Sequence, residues 1–96
     1  MYLLITYDIE TTADSGKKAL AKVGRLCKGY GIRVQNSVWE CLLDPTELED
    51  LKMKLQVTMG KEKGNIRIYQ LPKTWDTKTT QVIGEVPLRI TDTIII

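Results

Sequence analysis

The sequence predicts an α+β domain, because four strand-like segments and two helical segments follow one another in the order βαββαβ. The strands are predicted from β-forming residues with alternating side chains, and the helices from apolar residues that recur every three or four positions. Two helices packed on one face of an antiparallel sheet in this order form a ferredoxin-like sandwich. With 96 residues, the chain is predicted to be one domain over 1–96.

The first strand is predicted over residues 2–8, where the segment YLLITYDI is rich in β-forming residues. A helix follows, with Asp14 or Ser15 as its N-cap, and we expect it to end at Gly29. Its apolar stripe faces the sheet. The opposite face is basic and carries Lys17, Lys18, Lys22, Arg25 and Lys28.

The middle of the chain is predicted to form two short strands and a second helix. Residues 32–43 are strand-like, and a turn at residues 36–37 divides them. The tetrapeptide DPTE at residues 44–47 is a helix start, because the aspartate can cap, proline suits the first helical position and the glutamate can reach back. Gly60 is expected to end this helix.

The last third is predicted to contain a strand over residues 65–72 (NIRIYQLP), a polar loop and a short strand over residues 81–86. The chain closes with the apolar segment TDTIII. We expect residues 81–96 to form edge strands at a dimer interface, because an exposed apolar edge invites pairing.

The dimer is predicted from the alternation of side chains along two strands. One side of the first strand holds Leu3 and Ile5, and the other holds Tyr2, Leu4, Thr6 and Asp8. The third strand likewise has large apolar residues on both sides. Two helices cover only one face, so we expect the uncovered faces of two copies to meet. The alternative is that the helix side covers some of these residues.

Charge is unevenly distributed along the chain, although the net charge is only +2. Residues 1–35 sum to +3, residues 36–60 to −3 and residues 61–96 to +2. A basic stripe suits contacts with nucleic-acid phosphate, but a solvated helix face has the same pattern.

The amino-acid composition excludes several kinds of site. The chain contains no histidine, which excludes His-activated nucleophiles and His-rich zinc sites. Cys27 and Cys41 form no CxxC pair, so we expect two reduced thiols in the core. No apolar run approaches the roughly 18 residues of a membrane span, and no leader is evident, so a soluble cytoplasmic protein is expected.

Asp8 is the main candidate for chemistry, since it ends an apolar strand on the predicted dimer face. An acidic side chain there is costly unless it is paired, hydrated or metal-bound. A two-fold axis near the strand end would bring two Asp8 carboxylates together, and Mg²⁺ binds such carboxylates while keeping several waters. Such an ion could serve a nuclease without histidine. The alternative is a turn or cap residue before the first helix.

Four further residues have predicted roles in phosphate contact, in the turn or in the core. Arg33 is the stronger candidate for a phosphate contact, and Ser37 could bind phosphate or stabilise its turn. Tyr7 and Trp39 are expected in the core.

Two motifs carry a resemblance to a known family. The strand end Tyr7-Asp8-Ile9 precedes a basic helix and then the segment GIRVQNSVWEC at residues 31–41. Together with the RIYQL strand, they resemble the Cas2 family of small CRISPR-associated adaptation proteins, over about residues 1–71. The form of the motif is most similar to members from type I-C systems.

The resemblance implies a homodimer of ferredoxin-like protomers whose tails pair across the interface. Asp8 matches the family's strand-end aspartate, which binds a divalent ion, Mg²⁺ or Mn²⁺, and the implied activity is a metal-dependent endonuclease acting on double-stranded DNA or single-stranded RNA. The implied partners are nucleic acid and the Cas1 integrase during spacer acquisition. The nucleic-acid contacts expected from the basic helix and the matched motif are Lys17, Lys18, Arg25, Arg33 and Ser37.

The sequence departs from the family pattern at two places. Trp39 replaces the usual phenylalanine, and the acid common before the RxY strand is absent, with Lys61, Lys63 and Asn65 in that stretch. Two other functions stay open: a non-catalytic DNA-binding scaffold of the spacer-integration complex, and a toxin-like ribonuclease of the same fold.

Overall fold

The computed structural model describes residues 1–85, and the elements follow the predicted order. They are β1 (Tyr2–Ile9), α1 (Asp14–Lys28), β2 (Gly31–Gln35), β3 (Val38–Leu42), α2 (Pro45–Met59), β4 (Gly64–Gln70) and a short 3₁₀ turn (Thr77–Thr79). No helix among the described residues is long and apolar enough to cross a membrane.

The four strands form one antiparallel sheet with the order β2-β3-β1-β4. The central strand β1 pairs with β3 on one side and with β4 on the other, so that Ile5 lies opposite both Trp39 and Ile68. Together with the two helices, this order is the ferredoxin-like architecture that the sequence predicts.

Within residues 1–85, alternation along the strands produces one buried face and one face left open by the helices, as predicted. Along β1 and β3 the odd-numbered residues are buried, whereas the even-numbered ones are half-buried or exposed. Each fully buried aliphatic side chain contributes roughly 1.5–3 kcal/mol to folding. The core consists of Leu3, Ile5, Tyr7, Ile9, Ala19, Val23, Cys27, Trp39, Cys41, Leu43, Leu51 and Leu55.

The start of α2 is the predicted capping box. The Asp44 carboxylate accepts a hydrogen bond from the Glu47 backbone N–H at 2.7 Å, and the Glu47 carboxylate accepts one from the Asp44 N–H at 3.1 Å. Gly60 ends the helix with a φ of +49°, a conformation that favours glycine.

The start of α1 differs from the prediction. Its N-cap is Ala13, which has no side-chain hydrogen bond to the helix. Asp14 and Ser15 lie inside the first turn, where neither is at the N-cap position from which a side chain satisfies the free amides. The Ser15 hydroxyl donates instead to the Glu62 carboxylate at 3.2 Å.

The segment after β4 returns toward the open face of the sheet. The Leu71 N–H donates to the Tyr2 carbonyl at 2.9 Å, and Trp75 lies edge-to-face on the Tyr2 ring, with the ring centroids 4.9 Å apart. Residues 81–85 do not form a strand in the single protomer that the structure describes, and pairing of residues 81–96 across a dimer interface stays a prediction for two copies. The remainder of the predicted edge strands over 81–96 lies outside the described residues.

Candidate metal and nucleic-acid site

Asp8 is exposed near the end of β1, on the open face of the sheet. Its neighbours Tyr7 and Ile9 are buried on the opposite face, so alternation directs the carboxylate away from the helices. Within residues 1–85, no side-chain hydrogen bond or ion pair involves this carboxylate. Among these described residues, the carboxylate at the end of the apolar strand has no hydrogen-bonded or ion-paired side-chain partner.

The pairing of β1 with β4 places further polar residues beside Asp8. Asn65 lies directly opposite Asp8, and Arg67 lies opposite Thr6. The Arg67 guanidinium donates a hydrogen bond to the Tyr69 hydroxyl at 3.2 Å, and this bond is the main reason that the pKa of Arg67 is raised above its usual range. Arg67 therefore adds a permanent positive charge to the face that carries Asp8.

Gly64 allows β4 to approach this strand end closely. Its φ of +114° is one that side-chain-bearing residues rarely adopt, and a Cβ there would overlap the Asp8 carbonyl oxygen. Just beyond the end of β1, the Glu10 N–H donates a hydrogen bond to the Lys63 carbonyl at 3.0 Å. The sequence did not predict Asn65 and Arg67 as part of this site. Their alternation along β4 can be read from the sequence, but the register that places them opposite Asp8 and Thr6 cannot.

Ser37 lies in the turn between β2 and β3, next to the same strand. Its carbonyl accepts a hydrogen bond from the Tyr7 N–H at 3.1 Å. The turn is thus tied to β1 one residue before Asp8, which places Ser37 and Asp8 in neighbouring segments of one sheet end.

Arg33 lies on the other face of the sheet. A regular two-residue hairpin would pair Arg33 with Glu40, but a bulge between Arg33 and Gln35 shifts the register and pairs Arg33 with Trp39. One residue of shift moves a side chain to the opposite face. The guanidinium carbon lies 4.8 Å from the centre of the Trp39 ring, on the side that the helices cover.

The predicted core roles of Tyr7 and Trp39 are confirmed, since 7% and 4% of their surfaces are exposed. The Trp39 Nε1–H donates to the Tyr7 hydroxyl at 2.9 Å. This bond uses a donor that phenylalanine at position 39 would lack.

The basic side chains predicted on α1 are exposed. Lys17 and Lys18 lie in its N-terminal half and Arg25 in its last turn. The structure therefore separates the six predicted site residues into two groups: Asp8 and Ser37 lie at one end of the sheet, and the helix side carries Lys17, Lys18, Arg25 and Arg33.

The donor set at Asp8 fits a hard divalent cation. Within residues 1–85, no group of three or more His, Cys, Asp or Glu residues could hold a metal ion, so no described cluster of one protomer forms a closed metal site. Mg²⁺ binds through one or two carboxylates and keeps several waters. An exposed carboxylate that has no side-chain partner among residues 1–85, beside the Asn65 position, suits that mode.

The two cysteines are confirmed as free and buried. Burial raises the pKa of Cys27 to about 11 and that of Cys41 to about 12, because a thiolate loses its hydration there. Neither thiol is a nucleophile at neutral pH.

The fold and this strand end define a ferredoxin-like α+β protein with an exposed carboxylate on its open sheet face. The family described as CRISPR associated protein Cas2 matches residues 1–79. The chain belongs to the Cas2 family.

Two curated relatives are similar over most or all of the chain. The CRISPR-associated endonuclease Cas2 of Halalkalibacterium halodurans is 41% identical over 95 residues, which is 99% of each chain. The CRISPR-associated endoribonuclease Cas2 1 of Moorella thermoacetica is 45% identical over 71 residues, which is 74% of each chain.

Two solved structures share the fold. Streptococcus pyogenes Cas2 at pH 6.5 superposes with a TM-score of 0.77 and 40% identity, covering 88% of this chain and 100% of that one. A chain of a partial Cas6-RT-Cas1–Cas2 complex superposes with a TM-score of 0.63 and 30% identity, covering 84% of this chain and 98% of that one.

Proposed function

We propose that this CRISPR-associated nuclease hydrolyses phosphodiester bonds as a two-fold dimer, with Mg²⁺ or Mn²⁺ held by Asp8 of each copy. The observation that carries the proposal is the position of Asp8, which is exposed on the open sheet face and has no side-chain partner within residues 1–85. Two such carboxylates near an axis repel each other unless a cation lies between them. The proposed metal thus also stabilises the dimer.

The dimer itself is supported by the open face. Tyr2, Leu4, Val38 and Leu42 are half-buried there, although both helices lie on the other side. A second copy would bury this apolar surface, and the C-terminal segments would then cross to the partner. The interface proposed here is that of two sheets packed face to face.

The metal ion and the protein side chains would have different roles at the site. When bound, the ion would supply an activated water and neutralise charge on the phosphodiester. Asp8 would bind the ion, and the permanent charge of Arg67 on the same face would attract the nucleic acid. Lys17, Lys18, Arg25, Arg33 and Ser37 would contribute further contacts to the backbone.

The substrate class and partner follow from the relatives. One is named an endonuclease and the other an endoribonuclease, so double-stranded DNA and single-stranded RNA are both proposed substrates. The structural similarity to the Cas2 chain of a complex with Cas1 supports spacer acquisition with the Cas1 integrase as the process that the chain serves.

A metal-dependence assay tests the proposal. Wild type and Asp8→Ala are compared on a DNA duplex and a single-stranded RNA, with Mg²⁺, Mn²⁺ or EDTA. Asp8→Ala and EDTA should each lower the cleavage rate by about 10²–10³-fold, the size expected when a group that stabilises transition-state charge is lost. Glu10→Ala removes a nearby exposed carboxyl whose partner is Thr12 and should cleave at the wild-type rate.

Equal cleavage by wild type and Asp8→Ala, or full activity in EDTA, would show that the site is elsewhere. The second candidate function is a non-catalytic DNA-binding scaffold, which the exposed basic residues of α1 favour. Tight duplex binding by wild type without cleavage under any metal condition would establish the scaffold in place of the nuclease.

A further inference from the structure

Asn65 is the residue that β4 places directly opposite Asp8 on the open face of the sheet. The last pair between β1 and β3 is that of Thr6 with Val38, so among residues 1–85 the cross-strand neighbour of Asp8 comes from β4. Both Asp8 and Asn65 are exposed. Directly opposite residues in an antiparallel pair have Cβ atoms about 4.5–5.5 Å apart, so the Asp8 carboxylate and the Asn65 carboxamide can reach a shared ligand.

The register between these two residues is fixed on both sides. Ile9 pairs with Gly64, where a Cβ would overlap the Asp8 carbonyl oxygen, so glycine permits the close approach of the strands. On the other side, Tyr7 lies opposite Ile66, and both pack toward the core under the helices. A slip of one residue would exchange the two faces of β4 and expose Ile66. The core therefore holds Asn65 beside Asp8.

The cation on the same face is directed away from this pair. Arg67 lies opposite Thr6, and its guanidinium donates to the Tyr69 hydroxyl at 3.2 Å, two residues further from Asp8 along β4. Within residues 1–85, Asp8 forms no ion pair. The group beside its carboxylate is instead a carboxamide, whose oxygen is a ligand that hard divalent cations such as Mg²⁺ and Mn²⁺ accept.

Ligand number and charge both favour a metal-binding role for this amide. Mg²⁺ requires oxygen ligands in near-octahedral geometry, and one carboxylate from each of two copies fills only part of that set. A carboxamide oxygen adds a ligand without adding negative charge at a point where two carboxylates already repel each other. Asparagine is depleted in strands, so sheet formation does not account for its presence in β4.

We propose that the Asn65 carboxamide oxygen is a ligand of the divalent ion that Asp8 binds, so that each copy contributes a carboxylate and an amide to one site. The inference rests on the proposed function and deepens it, because it adds a second residue of this chain to the metal site. A neutral ligand keeps the affinity moderate, since affinity for a divalent cation rises with the negative charge of its ligands.

Binding of Mn²⁺ alone tests this inference, measured near neutral pH by the EPR signal of the free ion and without nucleic acid. Asn65→Ala should weaken Mn²⁺ binding on the order of 10-fold, the smaller end of the losses seen when a group that supports a metal site is removed. Asn65→Asp should strengthen binding by a similar factor, because a carboxylate replaces a neutral oxygen at the same position. A merely structural amide would give no such gain.

Gln70→Ala is the matched control, since it removes an exposed carboxamide from the other end of β4, opposite Leu3. Its Mn²⁺ affinity should equal that of wild type. In EDTA, both alanine variants should melt within about 4 °C of wild type, because each changes an exposed side chain. Unchanged Mn²⁺ affinity in Asn65→Ala, or weaker binding by Asn65→Asp, would overturn the inference.

Direct contact with the ion is tested with a soft metal. Asn65→Cys places a thiol at the ligand position, and thiolates prefer soft ions such as Cd²⁺. Cd²⁺ should then produce an ultraviolet thiolate-to-metal charge-transfer band that wild type lacks, since Cys27 and Cys41 are buried and keep their protons at neutral pH. Adding Asp8→Ala to Asn65→Cys should weaken Cd²⁺ binding on the order of 10-fold. No effect of Asp8→Ala would refute a shared ion.

This inference and the proposed function fail in different ways. If Asp8→Ala abolishes both Mn²⁺ binding and cleavage while Asn65→Ala binds Mn²⁺ as Gln70→Ala does, only the role of Asn65 fails. If Mn²⁺ affinity falls in both Asp8→Ala and Asn65→Ala but no metal condition supports cleavage, the ligand pair stands and only the proposed nuclease activity fails.

Discussion

The Glu40 carboxyl is half-buried on the open face of the sheet, beside Leu4 of β1 and Ile32 of β2. Burial raises its pKa above the usual range, because the charged form loses hydration. The folded state therefore holds this proton more tightly than the unfolded state does. As the pH rises through the folded pKa, the carboxyl must ionise while half-buried, and folding loses stability.

Glu40→Gln should accordingly raise the free energy of unfolding at pH 7, by about 0.5 kcal/mol for a partly exposed position. The difference should fade toward pH 4, where the wild-type carboxyl is protonated in the folded state. Urea denaturation at both pH values measures this. A less stable Glu40→Gln at pH 7 would contradict the desolvation account and would indicate that a positive group of the assembled protein pairs with Glu40.

The two helices begin by different means, although both start after a turn. A reciprocal pair of side-chain hydrogen bonds caps α2, whereas the N-cap of α1, Ala13, makes no side-chain hydrogen bond. Asp14 lies in the first turn of α1 and contributes only through its charge near the helix N-terminus. The two aspartates therefore differ in how much stability they provide.

Asp44→Ala should lower the free energy of unfolding by about 1 kcal/mol, the usual cost of losing an N-cap. Asp14→Ala should cost less than about 0.5 kcal/mol, because only an exposed interaction with the helix dipole is lost. Chemical denaturation of both variants gives the comparison. Equal costs for the two substitutions would mean that the capping box adds nothing beyond charge.

At the scale of the whole molecule, the sheet is covered unevenly. Within residues 1–85, the helices bury one face, while the loop after β4 covers one end of the other, where Trp75 lies on Tyr2. The half-buried apolar residues along the rest of that face are the surface at which we propose that two copies meet. Formation of the proposed dimer would therefore also bring the two Asp8 side chains close together.

Leu4→Lys should convert the proposed dimer to a monomer, because the ammonium would be buried in the interface against its own copy. Within the protomer the substitution is tolerable, since position 4 lies opposite Glu40. Val57→Lys is the control, placed on the outer side of α2 where the wild-type residue is 78% exposed. Sedimentation velocity measures the outcome. A monomeric wild type, or a Leu4→Lys variant that remains dimeric, would exclude a face-to-face dimer.

Much of the architecture was predictable because it depends on neighbours in the chain. Alternation along β1 placed Tyr7 inside and Asp8 outside, and the tetrapeptide at residues 44–47 marked the start of α2. The start of α1 was misplaced, since Asp14 and Ser15 are equally plausible caps when only local sequence is considered. The motifs around Asp8 and Arg33 also led correctly to the Cas2 family.

The sequence by itself determined the order of the elements, the core and the residue at the strand end. Tertiary structure alone decided which of the other candidate site residues share a face with Asp8. Arg33 crosses to the helix side because of a bulge, and Asn65 and Arg67 come beside Asp8 because of the register of β4. The physical reason is that alternation is a property of consecutive residues, whereas bulge and register depend on hydrogen bonds between segments far apart in the chain.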